Sequence, residues 1–209
     1  IGQEHELTSN SLEPTELTLL RLGQRVLLVW SDSLGAARPG HGDLHAISLD
    51  ESAAPVSAER RVAPSELHSH SPSIVAWGQR GDTALLGWLE SEPNSTGSGS
   101  SSLFLTEVDA EGRIVTAATE VSLPGQARGF SAHCGEDICR VVASLDRGDR
   151  GELWGLGFSG RGAPTLRPLA VLEGPASQSI APLLLGDHVF YVDPSKNGVP
   201  LLRRITLEF

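Results

Sequence analysis

Apolar and polar positions follow a long period along this chain. Four times a glycine-polar turn leads into an apolar run. Gly23-Gln24-Arg25 precedes Val26-Leu27-Leu28-Val29-Trp30-Ser31, and Gly78-Gln79-Arg80-Gly81-Asp82 precedes Thr83-Ala84-Leu85-Leu86-Gly87-Trp88. Gly135-Glu136-Asp137 precedes Ile138-Cys139-Arg140-Val141-Val142-Ala143-Ser144, and Gly186-Asp187-His188 precedes Val189-Phe190-Tyr191-Val192-Asp193. The turn glycines lie 55, 57 and 51 residues apart, so an internal repeat organises the chain. A second anchor follows each run: 43–50, 102–109, 152–158 and 201–207, mostly with the alternation of a half-buried strand. After a further turn comes a short strand, as at 113–117 and 166–171. No segment carries a helical apolar period with caps; the nearest, Leu12 to Leu22, fills the first-strand slot of the first unit and reads as a strand.

Each unit is therefore strand, tight turn, strand, variable loop, strand, turn, strand. Four antiparallel strands in about 50 residues mark a β-propeller blade. The expected fold is all-β, a β-propeller of about four four-stranded blades at 13–66, 67–127, 128–176 and 177–209. The fourth unit stops at Phe209 before its last strand. Residues 1–12, and Gln3 to Ser9 in particular, are available to complete it and close a four-bladed ring, because an open sheet edge invites aggregation. The rival is half of a larger propeller, its other blades in a missing N-terminal part or another chain. The absence of Met and the start at Ile1 read as a processed chain. The serine- and glycine-rich stretch from Glu90 to Ser102 reads as a flexible loop within the second blade.

The phrase Ser71-Pro72-Ser73-Ile74-Val75-Ala76-Trp77, then Thr83 to Trp88, then Leu103 to Asp109 with Glu111-Gly112-Arg113-Ile114-Val115, resembles the blades of secreted bacterial β-propeller repeat proteins. The resemblance covers most of the chain in degenerate form. Its motifs are packing motifs, so it implies a fold and hardly a function.

Charge removes two partner classes. Asp and Glu number 26 against 16 Lys and Arg, a net charge of −10. That argues against non-specific binding to nucleic acid or to an anionic membrane. No apolar run reaches 18 residues, so no membrane insertion is expected. The two cysteines, Cys134 and Cys139, flank a Gly-Glu-Asp turn. Opposed across a hairpin, they come close enough for a disulfide; the alternative is a pair of buried thiols. A disulfide implies a periplasmic, cell-surface or extracellular setting.

Chemistry is sparse. His41 with His45, and His68 with His70, share strand faces but sit in polar surroundings and read as solvated loop histidines. His133 and His188 have no sequence-local partner. The turns at 109–112 and 146–149 lack calcium-loop spacing, and Asn94-Ser95-Thr96 is a glycosylation sequon. No nucleophile elbow, phosphate loop or dinucleotide motif occurs, so no catalytic, cofactor-binding or metal-binding residue is assigned and no cofactor is expected. Trp30 and Trp88 occupy equivalent repeat positions and read as packing residues. Trp77 and Trp154 are the candidates for a glycan or protein-partner surface.

The expectation is a non-enzymatic binding or scaffold module of an exported protein, acting through protein or glycan contacts on blade-end loops. The alternatives are a processed fragment or subunit of a larger surface assembly, and a polysaccharide-acting hydrolase or lyase with a site in the central channel.

Overall fold

This computed structural model describes residues 7, 14–32, 42–63, 65, 67–78, 81–91, 101–160, 163–174, 181–193 and 199–207. They form four antiparallel sheets in chain order. The first holds β1 (Pro14–Leu22), β2 (Arg25–Asp32), β3 (Asp43–Leu49) and β4 (Arg60–Ala63). The second holds β5 (His68–Trp77), β6 (Thr83–Ser91), β7 (Ser102–Asp109) and β8 (Thr119–Ser122). The third holds β9 (Gln126–Cys134), β10 (Cys139–Asp146), β11 (Gly151–Phe158) and β12 (Leu166–Val171). The fourth has three strands among the described residues, β13 (Leu183–Leu185), β14 (His188–Asp193) and β15 (Leu201–Thr206). The first strands β1, β5, β9 and β13 pack one against the next in that order. This is the β-propeller expected from the repeat.

Each first hairpin turns where the sequence places its glycine. Gly23 joins β1 to β2 at φ 61°, a conformation costly for any residue with a Cβ. The strand expected at 113–117 lies instead at Thr119–Ser122. Asp109 is the cause. Its Oδ1 accepts the N–H groups of Glu111 and Arg113, both at 2.9 Å, and winds the chain into a tight turn. Beyond the turn, Ile114 makes a single bridge back to Val108.

The core lies between the blades. β2, β6 and β10 are buried on both faces, which is why they read as apolar runs without alternation. Leu27, Val29 and Leu44 of the first blade meet Leu86, Trp88 and Val108 of the second. Leu85, Leu103 and Leu105 meet Phe130, Val141 and Leu145 of the third. Val142 and Leu153 meet Leu184 and Val189 of the fourth. Trp30 faces the other way, onto Leu28, Ile47 and Leu49, with Leu7 packed over them. Of the proposed closing segment Gln3 to Ser9, the other residues lie outside the described ones; Leu7 rests on the first blade. Leu17 and Leu19 of β1 are 64% and 66% exposed, and Leu183 and Leu185 of β13 are both 63% exposed.

The second strand of each blade carries a buried acid at or next to its end: Asp32, Glu90, Asp146 and Asp193. Burial of a carboxylate requires donors, and these are present. Glu90 accepts from Ser65 Oγ at 2.9 Å, Ser69 Oγ at 3.3 Å and the Trp88 indole N–H at 3.0 Å. Asp193 is ion-paired with Arg203 at 2.6 Å and accepts from the Glu173 N–H at 2.9 Å. Asp146 accepts from Arg128 at 2.7 Å and from the Gly148 N–H at 2.8 Å. Its carboxyl is held below the usual carboxylate value, chiefly by the Arg128 hydrogen bond. Burial opposes this, while the Gly148 N–H and the Arg128 charge add to the lowering.

Gly112 ends the Asp109 turn at φ 72°, and a Cβ there meets Ala46 Cβ at 3.0 Å and Leu27 Cδ1 at 3.2 Å. Gly112→Ala is expected to cost about 2 kcal/mol, combining backbone strain and overpacking, and a urea midpoint shift measures it. A folded-state carboxyl value held low gives stability above the unfolded carboxylate range and loses it as pH falls through the folded value. Asp146→Asn should therefore destabilise the protein at pH 7, and the gap to wild type should narrow below about pH 4. Urea unfolding at pH 7 and at about pH 3 measures both.

Candidate active site at the propeller axis

The innermost strands carry irregularities at one level. On β1 the register slips between Thr15 and Thr18, so Glu16 and Leu17 stand opposite Trp30 alone. On β5 it slips between His70 and Ser73, so Ser71 and Pro72 stand opposite Trp88 alone. On β9, Arg128 is the extra residue between Ala127 and Gly129. Bulges of this kind re-aim side chains and collect beside active sites. Two of these bulged residues also have left-handed backbone without being glycine, Glu16 at φ 50° and Ser71 at φ 52°. Such strain costs about 1–3 kcal/mol per residue and persists only where the surroundings over-determine it.

The two strained residues meet. The Ser71 N–H donates to Glu16 Oε2, and Ser71 Oγ lies 3.3 Å from Glu16 Oε1. His70 Nδ1 lies 3.1 Å from Ser71 Oγ, and its Nε2 lies 3.3 Å from Ser91 Oγ. The rings of His68 and His70 stack at 5.1 Å. His70 is held below the ordinary imidazole value, chiefly by burial. The neighbouring His68 adds to this and Glu16 opposes it. Glu16 itself is exposed. Beneath this group the first two blades are stitched together by Ser31 Oγ donating to Ser69 O at 2.7 Å and Ser69 N–H donating to Gly42 O at 3.0 Å. The closing acids of the second strands lie at this same end, because β2, β6 and β10 run antiparallel to the innermost strands.

The arrangement offers an exposed carboxylate with two donors fixing it, a half-buried imidazole and serine hydroxyls. That is equipment for acid–base chemistry on a hydroxyl-rich substrate.

The sequence-level candidates fall elsewhere. Cys134 and Cys139 are register partners across the β9–β10 hairpin and are joined by a disulfide. Trp77 is half-buried and packs against Phe158 at 5.6 Å. Trp154 is half-buried, and its indole N–H donates to Glu152 at 2.8 Å. Trp30 and Trp88 are both buried, at 1% and 2% exposure. His45 is not a solvated loop histidine: it stacks on Trp30 at 5.6 Å and its Nδ1 lies 2.8 Å from Glu59. His68 and His70 are also not in a loop; they are half-buried on an innermost strand, where a buried serine alternates with them. His41 and Asn94 lie outside the described residues. Glu16 and Arg128 carried no motif, and Ser71 stood only in a packing phrase. One signal was present: Trp30-Ser31-Asp32, Trp88-Leu89-Glu90 and Tyr191-Val192-Asp193 repeat an aromatic-x-acid phrase that marks this end of the blade.

No protein-family model matches the chain, and no curated protein matches its sequence. Solved structures do. A thermostable family-43 glycoside hydrolase superposes on 92% of this chain and 71% of its own, with a TM-score of 0.58 at 13% identity. The α-L-arabinofuranosidase PaAbf62A from Podospora anserina, in complex with cellotriose, matches over 98% of this chain and 66% of its own, at 13% identity and a TM-score of 0.48. The catalytic domain of a Coprinopsis cinerea GH62 α-L-arabinofuranosidase matches over 98% and 67%, at 12% identity and a TM-score of 0.48. The chain thus spans about two thirds to seven tenths of the length of these proteins. At this identity the likeness shows the fold, the β-propeller. It also corrects the expectation of a non-enzymatic module, since the propeller it matches is a hydrolase. The expectation rested on the lack of a contiguous motif, and a propeller draws its axial residues from separate blades, where no short motif can hold them.

Proposed function

We propose that this chain is a glycan-acting hydrolase working at the axial end of the propeller, with Glu16 as an acid–base carboxylate. The observation that carries the reading is the meeting of two strained bulges. The chain sustains left-handed backbone at Glu16 and Ser71, and the two residues bond to each other with the carboxylate left exposed. Strain of this kind is retained where geometry matters to function. The likeness to a family-43 glycoside hydrolase supports a glycosidic bond as the target.

Glycoside hydrolysis uses two carboxyl groups, one donating a proton to the leaving oxygen and one acting as base or nucleophile. Glu16 supplies one. Asp32 and Glu90 close the second strands of the two blades whose bulges meet, and either can supply the other. The serine hydroxyls and His70 suit a sugar, whose hydroxyls donate and accept in turn. The disulfide supports an exported setting, because such bonds persist in oxidising compartments.

The test is a panel of arabino-, xylo-, gluco- and galacto-oligosaccharides with reducing-end detection. Wild type is expected to cleave at least one member. Glu16→Gln should slow that cleavage by about 10²–10⁴-fold with the melting temperature nearly unchanged, and Asp32→Asn set against Glu90→Gln identifies the partner carboxylate. A folded wild type that cleaves nothing on the panel overturns the reading.

A further inference from the structure

We propose that His70 is a positioning residue for Glu16, acting through Ser71 in one fixed tautomer. The inference rests on the hydrolase reading for its purpose and on hydrogen-bond counting for its content.

Ser71 has one hydroxyl hydrogen. An ionised Glu16 can only accept, so the contact between Ser71 Oγ and Glu16 Oε1 at 3.3 Å consumes that hydrogen. Towards His70, Ser71 Oγ must then accept, and the hydrogen in the 3.1 Å contact belongs to His70 Nδ1. A neutral imidazole carries one ring hydrogen. Nε2 is therefore the bare nitrogen, and Ser91 Oγ, at 3.3 Å, donates to it. The result is a one-directional chain from Ser91 to His70 to Ser71 to Glu16, in which the Ser71 hydroxyl both donates and accepts. Its last two donors, the Ser71 hydroxyl and backbone N–H, converge on a single carboxylate.

The surroundings favour the neutral ring that the chain needs. His70 is half-buried and stacked on His68, so a positive charge on its ring is costly. The charges acting on it are Glu16 from β1 and His68 from its own strand. Among the described residues at this end of the packed elements, Asp43 of β3 is engaged with Arg61, Glu90 of β6 with two serines and Trp88, and Arg128 of β9 with Asp146. Asp32 of β2 is buried and partnered.

The tautomer can be read without any substrate. Long-range proton–nitrogen NMR of the intact protein near pH 7.5 is expected to show His70 with a protonated Nδ1 and a bare Nε2. The reverse pattern overturns the proposal, whatever the protein hydrolyses. Ser71→Gly keeps a residue suited to φ 52° and removes the hydroxyl. It should release the preference and raise the Nε2–H form, and an unchanged tautomer would count against the chain. On a substrate from the panel, His70→Gln, whose amide sits near the Nε2 position, is expected to lower kcat by about 10²-fold with KM little changed. His70→Asn, whose amide sits near the Nδ1 position, should restore most of that loss. Equal losses in the two variants would mean that His70 only fills space. A correct tautomer with no hydrolysis would leave the positioning intact and sink the hydrolase reading instead.

Discussion

The structure depends on burying the second strand of each blade on both faces. A four-stranded sheet with a single apolar face can lie on one neighbour, but β6 and β10 send alternate side chains into two different cores. Leu85 joins the contact with the third blade and Leu86 the contact with the first. Val141 faces the second blade and Val142 the fourth. No blade completes its core alone, so the blades stack cooperatively. Close approach follows from the same demand. A Cβ on Gly87 would meet the Phe130 ring at 2.8 Å, and one on Gly129 would meet Ala181 at 2.8 Å. Small residues on second and innermost strands set the spacing between neighbouring sheets.

That stacking brings the innermost strands together and gives the polar end its geometry. The bulges on β1 and β5 stand opposite Trp30 and Trp88, the large buried side chains at equivalent places in the repeat. Each bulge puts two residues against one tryptophan, and the extra residue is turned out of the ladder. The backbone cost at Glu16 and Ser71 is offset by burial nearby and by the bonds that stitch the first blade to the second. Ser31, Gly42 and Glu16 all reach across to β5. The strained residues are thus held from two blades at once, which is the condition for keeping a carboxylate in one orientation.

The same end of each blade carries a buried acid, and the partners differ between the second, third and fourth blades. Glu90 is satisfied by serines and an indole, Asp146 by an arginine from its innermost strand, and Asp193 by Arg203 from β15. A common position with different partners shows that the donors around the carboxylate are free to vary. In the second blade, where the partners are two serine hydroxyls and an indole, the innermost strand is left to join the Glu16–Ser71–His70 group. In the third blade Arg128 is spent on Asp146.

The sequence by itself determined the propeller. Turn glycines recurring at 55, 57 and 51 residues and apolar runs buried on both faces are local properties, and they need no tertiary information to be read. The disulfide was equally legible, because a short polar turn between two cysteines places them opposite each other in any hairpin. The site was not. Glu16, Ser71 and Arg128 are unremarkable in sequence, since a bulge leaves no compositional mark and shows itself only when the partner strand's register is known. His68 and His70 looked like loop histidines because Ser69, Ser71 and Ser73 around them mimic a loop. Their strand is polar because it is an innermost edge, with one side on the axis. Tertiary structure alone decided that a glutamate in the first blade and a serine 55 residues later would meet, because that contact exists only after two separate blades have stacked.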